Sequence, residues 1–332
     1  NKKTKKQQYK FVYVNQSNKK IRNQSIIDRI NKLRIPPGYK NVLISNNTKS
    51  DIQAIGYDDK GRRQYIYNDK FLEKNQEKKY NDIIKLGKHI NRIENDITRY
   101  ITQIYRKPYN KWVQPTTNIM IVLYLLSKCN FRIGNIKYAN KYGSYGSTTL
   151  KNKHIKLNSN NLTIEFIGKK GVFNKAEIKD PKMTRIFREL KNKKPNFIFT
   201  YKNGTGEHLI TPEHINDYLT KYDSDIVPKM FRTWYGNVYF IDKLRRDIKS
   251  GNNDLNGVQK GEKYNKYMKS CCQYVADKLH NTPGISKKSY MDHLLLESFI
   301  NNPKKFVKNI SQNNKLNSNQ LLLKLLSKLR KN

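Results

Sequence analysis

The sequence is poor in acidic side chains, in cysteine and in unbroken apolar stretches, and each scarcity removes a class of protein. Against 67 Lys and Arg stand 26 Asp and Glu, with no acidic cluster of the kind that holds magnesium against a phosphate. Cysteine occurs three times, at Cys129, Cys271 and Cys272. An odd count with two adjacent members implies no disulfide framework, and no Cys/His spacing resembles a zinc site. No window reaches the ~18 consecutive apolar residues of a membrane span. The longest candidate, "NIMIVLYLLSKCNF" from Asn118 to Phe131, reads as a buried helix. No apolar signal segment follows the basic start. The GxxxxGK(S/T) phosphate loop, HExxH and the GxSxG elbow are all missing, which disfavours ATP and metal chemistry. The expectation is an intracellular protein in a reduced compartment, with no cofactor, no metal and no membrane partner.

What the chain has in excess is positive charge. The formal charge is +41 over 332 residues, far more than solubility requires, so a polyanion such as nucleic acid is the expected partner. Part of the lysine content also has a blander source, since abundant Asn, Lys, Ile and Tyr accompany A·T-rich coding sequence. Residues 1 to 80 hold 20 Lys and Arg against 7 Asp and Glu, a charge of +13, and the other +28 falls in the remaining 252 residues. Both parts are basic enough to touch nucleic acid.

The length suits two domains. The first part reads as short strands: "QYKFVYV", "NVLIS", "IQAIGYD" and "RRQYIYN", with "RIPPGY" as a turn, "DDKGR" as a hairpin loop, and one short helix near Ser25 to Leu33. The charged run "FLEKNQEKKYND" then marks a boundary near residue 78, giving a β-rich domain over 1–78 and a second domain over 79–332. In the latter, Ile83, Ile90, Ile93, Ile97, Ile101 and Ile104 recur at helical spacings. "LTIEFIGKKGVFNKAEI" is a β-hairpin whose loop offers lysines. Helical patterns resume over Pro181–Leu190, Pro212–Lys221, Val227–Asp247 and Lys263–His280, where Cys271 falls on an apolar face with Tyr267, Val275 and Leu279. "QLLLKLLSKLRKN" closes the chain as an amphipathic helix. No fixed-period repeat is present. The fold class is α+β: a small β-rich lobe, then a larger, mostly helical one with a β-hairpin.

A basic protein can act on phosphodiesters through arginine and lysine alone, because guanidinium forks match the non-bridging oxygens on which charge grows during an in-line displacement. Five segments carry such groups: "NFRIGNIKY" with Arg132, "TTLKNKHI", "FIGKKG" with Lys169, "KMFRTWYGN" with Arg232, and "NTPGISKKSY" with Tyr290. Taken singly each is weak. An arginine before "IG" commonly pairs with an acidic neighbour, Lys169 competes with Lys170, and Tyr290 is one of 23 tyrosines.

In this order, two arginines, a loop lysine and a late tyrosine resemble the type IB DNA topoisomerases in their compact poxvirus and bacterial form, whose catalytic fold the tyrosine recombinases share. The resemblance covers nearly the whole chain, through "RIPPGYKNVLIS", "IQAIGYDDKGRRQYIY", the stretch from "RIG" to "TTLKNKHI", and "VADKLHNTPGISKKSYMDH". It implies that Tyr290 attacks a scissile phosphorus and leaves a 3′-phosphotyrosyl link with a free 5′-hydroxyl. Arg132 and Arg232 would clamp the non-bridging oxygens, and Lys169 would protonate the departing 5′-oxygen. Where poxvirus-type enzymes have a histidine nine residues before the tyrosine, this chain has Asn281, as many bacterial relatives do. Asn281 is assigned the remaining phosphate contact, with His280 as its competitor.

The resemblance also implies duplex contacts at Gln64, Tyr65 and Tyr67 in the small lobe and at Tyr138 in a helix after Arg132. Asn135 there replaces a lysine of the poxvirus enzymes, and Asn237 is a further candidate phosphate contact. Recombinases usually carry HxxR at the second arginine, whereas "KMFR" places Lys229 at the histidine position, and their front domain is helical. A non-enzymatic packaging protein would explain the charge but not the ordered motifs. The expected assembly is a monomeric clamp on duplex DNA with no obligate protein partner. Coding bias and poxvirus-like motifs point to a large DNA virus, with a virion, viral replication compartment or nucleus as the location.

Overall fold

Asn23 opens the first helix by accepting hydrogen bonds from the Ser25 and Ile26 backbone amides, the usual task of an asparagine at an N-cap. In this computed structural model, which describes residues 11–112, 114–193, 196–204, 206–251 and 261–330, that helix is α1 (Gln24–Lys32). The antiparallel strands β1 (Lys40–Ile44), β2 (Ile52–Tyr57) and β3 (Arg63–Tyr67) follow in spatial order β1-β2-β3. Ile55 pairs with Tyr65 and Gly56 with Gln64. Among the described residues, the alternating "QYKFVYV" contributes no named strand. Gln8 to Lys10 lie outside the described residues, and among the described ones Val14 forms an isolated bridge to Lys20 while the Ile21 amide donates to the Tyr13 carbonyl at 2.9 Å.

The chain divides into two compact units, Asn1–Lys79 and Tyr80–Asn332. The charged run expected as a linker is helical throughout, inside α2 (Asp69–Ile104). Its Lys, Glu, Gln and Leu are good helix formers even without an apolar stripe, and the isoleucine pattern that signals the helix begins only at Ile83. There Ile83, Leu86, Ile90, Ile93, Ile97 and Ile101 are all buried.

The second unit continues with α3 (Pro115–Lys128), whose apolar residues are buried nearly all round, and α4 (Ile136–Tyr142). The predicted hairpin exists as β5 (Leu162–Ile167) and β6 (Phe173–Ile178), and gains β4 (Ile155–Leu157) on the outer edge of β5. Three residues are too few for β4 to show a period. Then come α5 (Pro181–Lys193), an unforeseen hairpin of β7 (Thr200–Asn203) and β8 (Gly206–Leu209), α6 (Pro212–Leu219), and α7 (Lys229–Lys249). Helices α8 (Glu262–Leu279), α9 (Pro283–Tyr290), α10 (His293–Asn301), α11 (Pro303–Gln312) and α12 (Ser318–Leu329) complete the described chain. Helix α7 is the hub: α3, α8, α9, α11 and α12 all pack on it. No helix among the described residues is long and apolar enough to cross a membrane.

Candidate active site

Arg132 stands in the loop between α3 and α4, and the sequence behind it closes that loop from beneath. The Ser147 amide donates to the Arg132 carbonyl at 2.8 Å, and both the amide and hydroxyl of Thr148 donate to the Ile133 carbonyl, at 2.7 and 2.8 Å. Gly146 makes this possible, because a Cβ there would lie 2.5 Å from the Arg132 carbonyl oxygen. Asn135, the residue that departs from the poxvirus lysine, is the N-cap of α4 and accepts from the Lys137 amide.

Arg232 enters from the first turn of α7 and is only 4% exposed. Nη1 donates to the Asn130 carbonyl and Nη2 to the Leu279 carbonyl, the latter at 2.6 Å, while the buried Nε has no acceptor. Burial and then the neighbouring charge of Arg132 lower its pKa to about 10, with Tyr290 acting in the opposite sense. The group therefore stays cationic at neutral pH. The Tyr290 ring lies beside it, with its centroid 5.1 Å from Cζ.

Tyr290 is the last residue of α9, a helix started by the Thr282 cap and by Pro283 at its first position. Its backbone is held by α7. Asn237 Nδ2 donates to the Tyr290 carbonyl at 3.1 Å and to the Thr233 carbonyl at 2.8 Å, and Oδ1 accepts from the Asp292 amide at 2.7 Å. Asn237 is fully buried. The phosphate contact expected of Asn237 is not among these bonds: both amide hydrogens go to backbone carbonyls, and the side chain holds the polypeptide around the tyrosine. Gly236 lets the two segments meet, since a Cβ would lie 2.7 Å from the Tyr290 carbonyl oxygen.

His280 and Asn281 form the corner between α8 and α9. His280 adopts the left-handed conformation (φ 51°) that ends α8, and its Nε2 lies 3.1 Å from the Cys129 carbonyl. That bond requires the proton on Nε2. Burial pushes the imidazole pKa below its ordinary value, against the hydrogen bond to the Cys129 carbonyl and with the charges of Arg232 and Arg132, which favours a neutral ring with its lone pair on Nδ1. The Asn281 amide lies between the two guanidiniums. One edge is 3.3 Å from Arg132 Nη2, and in the orientation that satisfies both ends Oδ1 accepts from Arg232 Nη2 at 2.9 Å while Nδ2 donates to the His280 carbonyl.

Lys169 sits in the tight turn Lys169–Gly171 at the tip of the β5–β6 hairpin, closed by the Gly168 amide donating to the Val172 carbonyl at 2.7 Å. It lines a small cavity together with Arg132 and His280. Lys170, the competing lysine, has left-handed backbone (φ 63°) and does not line that cavity. Thus Arg132, Arg232, Asn281 and Tyr290 come together, and Lys169 reaches the same locality from an exposed loop.

The expected duplex-contact residues are less uniform. Tyr65 is 41% exposed and stacks on Tyr67, with Arg63 5.6 Å above its ring. Gln64 lies on the opposite face of β3 and donates to Asp58 at 3.1 Å, so the three residues do not form one reading surface. Tyr138 projects from α4 and is 57% exposed. The sequence reading missed Gly236 and Asp292. A glycine within a helical pattern, and an aspartate preceding "HLLLESF", were the available signals.

The family pattern described as eukaryotic DNA topoisomerase I, catalytic core, matches residues 68–315, and that of the bacterial DNA topoisomerase IB N-terminal domain matches residues 10–58. The DNA topoisomerase 1B of Acanthamoeba polyphaga mimivirus is 30% identical over 305 residues, covering 90% of this chain and 87% of the relative. The DNA topoisomerase 1B of vaccinia virus (strain Copenhagen) is 24% identical over 274 residues, covering 80% and 79%, and the monkeypox virus DNA topoisomerase I matches to the same extent. With catalytic-core and N-terminal patterns matching in order, the chain belongs to the type IB DNA topoisomerases.

Proposed function

We propose that this enzyme relaxes supercoiled duplex DNA by cutting one strand through Tyr290, letting the free end swivel, and resealing it. The Tyr290 phenol loses its proton to solvent as its oxygen attacks the scissile phosphorus and the P–O5′ bond breaks, so a 3′-phosphotyrosyl bond replaces the phosphodiester, and the lysine that protonates the 5′-oxygen recovers its proton from solvent; religation is the reverse. One phosphate ester is exchanged for another, and the bond energy is kept without ATP. Arg132 and Arg232 neutralise the non-bridging oxygens in the pentacoordinate transition state, where each preorganised donor contributes on the order of 3 kcal/mol. Arg232 Nε is the donor available for this. Asn281 donates to the same phosphate once its amide turns from the His280 carbonyl. His280 cannot do so, because Nε2–H is engaged and Nδ1 offers only a lone pair. Lys169 gives a proton to the departing 5′-oxygen. Tyr65, Tyr67 and Tyr138 contact the duplex, the protein acts as a monomer, and it works where viral DNA is held, in a virion or replication compartment or in the nucleus.

The observation that carries this reading is the buried guanidinium of Arg232 set against the Tyr290 ring, with Arg132 and Asn281 around it. The test is relaxation of both positive and negative supercoils in EDTA without nucleotide. Tyr290→Phe is expected to lower relaxation to background, a loss of roughly 10⁴-fold or more, and to abolish covalent capture while leaving salt-sensitive binding intact. Relaxation that requires magnesium, or a Tyr290→Phe enzyme that still relaxes plasmid, would refute it.

A further inference from the structure

Two residues that follow Tyr290 are gripped by groups with no part in the proposed chemistry. The Tyr80 hydroxyl, at the start of the second unit, donates to the Met291 carbonyl at 2.6 Å. Asp292 is fully buried. Its Oδ1 accepts from the Leu294 and Leu295 amides and so caps α10, and its Oδ2 accepts from Arg330 Nη2 at 2.5 Å. Arg330, which ends α12 with its side chain 11% exposed, also donates through Nε to Asn81 Oδ1 at 2.7 Å. Two remote helices, α2 and α12, thus converge on the Met291–Asp292 step.

That convergence exceeds what local folding needs. An asparagine would cap α10 as well as an aspartate does, and a phenylalanine would fill the space of Tyr80. A buried ion pair is also a poor stabiliser beside an apolar pair of similar volume, but it is strongly directional. The direction matters here because Tyr290 ends a helix of only eight residues, and its approach to Arg232 is set by the backbone that immediately follows it. Asn237 and Gly236 fix that backbone from the α7 side, and Arg330 and Tyr80 fix it from the other.

We propose that Arg330 and Tyr80 are positioning residues for the nucleophile, acting through Asp292 and the Met291 carbonyl to hold the Tyr290 phenol in line with the scissile phosphate. The inference rests on Tyr290 being the nucleophile. Removing Arg330 alone leaves a buried carboxylate unpaired and risks unfolding, so the decisive variant is the double substitution Asp292→Asn with Arg330→Met, which keeps the cap and removes both charges. Single-turnover cleavage and religation of a duplex with one cleavage site should both slow by about 10- to 100-fold at saturating DNA, the range expected when a reacting group is displaced by about an ångström. Because forward and reverse steps share the transition state, the equilibrium fraction of covalent adduct should stay the same. DNA affinity, read with Tyr290→Phe added, should be close to that of the parent, and the thermal midpoint should fall only by the small amount that one unpaired buried amide N–H brings. Tyr80→Phe should slow both steps several-fold, and Arg330→Lys, which restores charge but not the second bond to Asn81, should lie between wild type and the double variant. Wild-type cleavage by the double variant would overturn the proposal, as would a rate loss matched by equal losses in affinity and melting temperature. A Tyr290→Phe enzyme that still cleaves would instead remove the nucleophile assignment on which it rests.

Discussion

The two units differ most in how much of themselves they bury. Among the described residues, the first unit places only Ile30 and Ala54 in the apolar core, and leaves Phe11, Val12, Val14, Ile26, Leu43, Tyr57, Tyr65 and Leu72 exposed. The second has a continuous core running from Tyr80 through α3, the β4–β6 sheet and α7 to α12. The proposed chemistry lies wholly in the second. A phosphoryl-transfer site of arginines needs donors that do not reorganise when charge develops, and Arg232 meets that need because two backbone carbonyls and a packed helix hold it. The sparse sheet of the first unit presents exposed rings with Arg63 beside one of them, in keeping with the duplex contact proposed for it.

Lys169 is the test of where that division breaks. It belongs to the well-packed unit but stands exposed on a hairpin tip, so its removal should cost almost no stability. Lys169→Ala is expected to slow cleavage by about 10²- to 10⁴-fold, the usual range for loss of a general acid. A 5′-phosphorothiolate substrate, whose sulfur leaves without a proton, should restore the rate. Lack of rescue would take Lys169 out of that role.

Arg232→Lys should cost nearly as much for the opposite reason. A lysine keeps the charge but cannot span the Asn130 and Leu279 carbonyls while leaving a third donor free. Cleavage should fall about 10²- to 10³-fold. An orphaned buried carbonyl should also lower stability by roughly 1–3 kcal/mol, seen as a reduced denaturation midpoint. A near-normal rate would mean that charge alone suffices and the buried geometry is incidental. Gly236→Ala isolates geometry from charge. Its new Cβ would press on the Tyr290 carbonyl, and a slowing of about 10-fold or more with unchanged DNA affinity is expected. Full activity would show that the nucleophile tolerates displacement.

Much of this arrangement is legible in the sequence, and the exceptions have physical causes. Long isoleucine spacing, Pro at helix starts, and strands joined by a Gly-flanked loop are readable because each signal is local. The order Arg132, Lys169, Arg232, Tyr290 pointed to one site through its resemblance to a family. The backbone partners of Arg232 could not be read, since a carbonyl has no side-chain signature and Asn130 and Leu279 are remote from it in sequence. The backbone bonds of Asn237 were equally hidden, because a buried amide and a ligand-binding amide are the same residue type and only the three hydrogen bonds show what this one holds. Gln64 was grouped with Tyr65 and Tyr67 although period-two alternation places it on the other face of β3. The helical first half of α2 was hidden because propensity, without periodicity, marks no boundary.

The smallest effect should come from the first unit, and it is the one that tests the comparison most directly. Tyr65 pairs with Ile55 across the β2–β3 ladder and stacks on Tyr67 at a ring separation of 6.0 Å, yet 41% of it remains exposed. Tyr65→Ala should therefore leave the fold nearly unchanged and weaken duplex binding a few-fold, about 1 kcal/mol, as expected for one lost contact of a neutral side chain. Because tyrosine carries no charge, the salt dependence of binding should keep its slope, whereas Arg63→Ala on the same face should reduce that slope by about one. In both variants the cleavage rate at saturating DNA should match wild type, since neither residue belongs to the unit that holds Tyr290. A lowered rate at saturation would mean that the exposed sheet also governs the chemical step, and the separation between a compliant contact surface and a rigid reacting site would not hold.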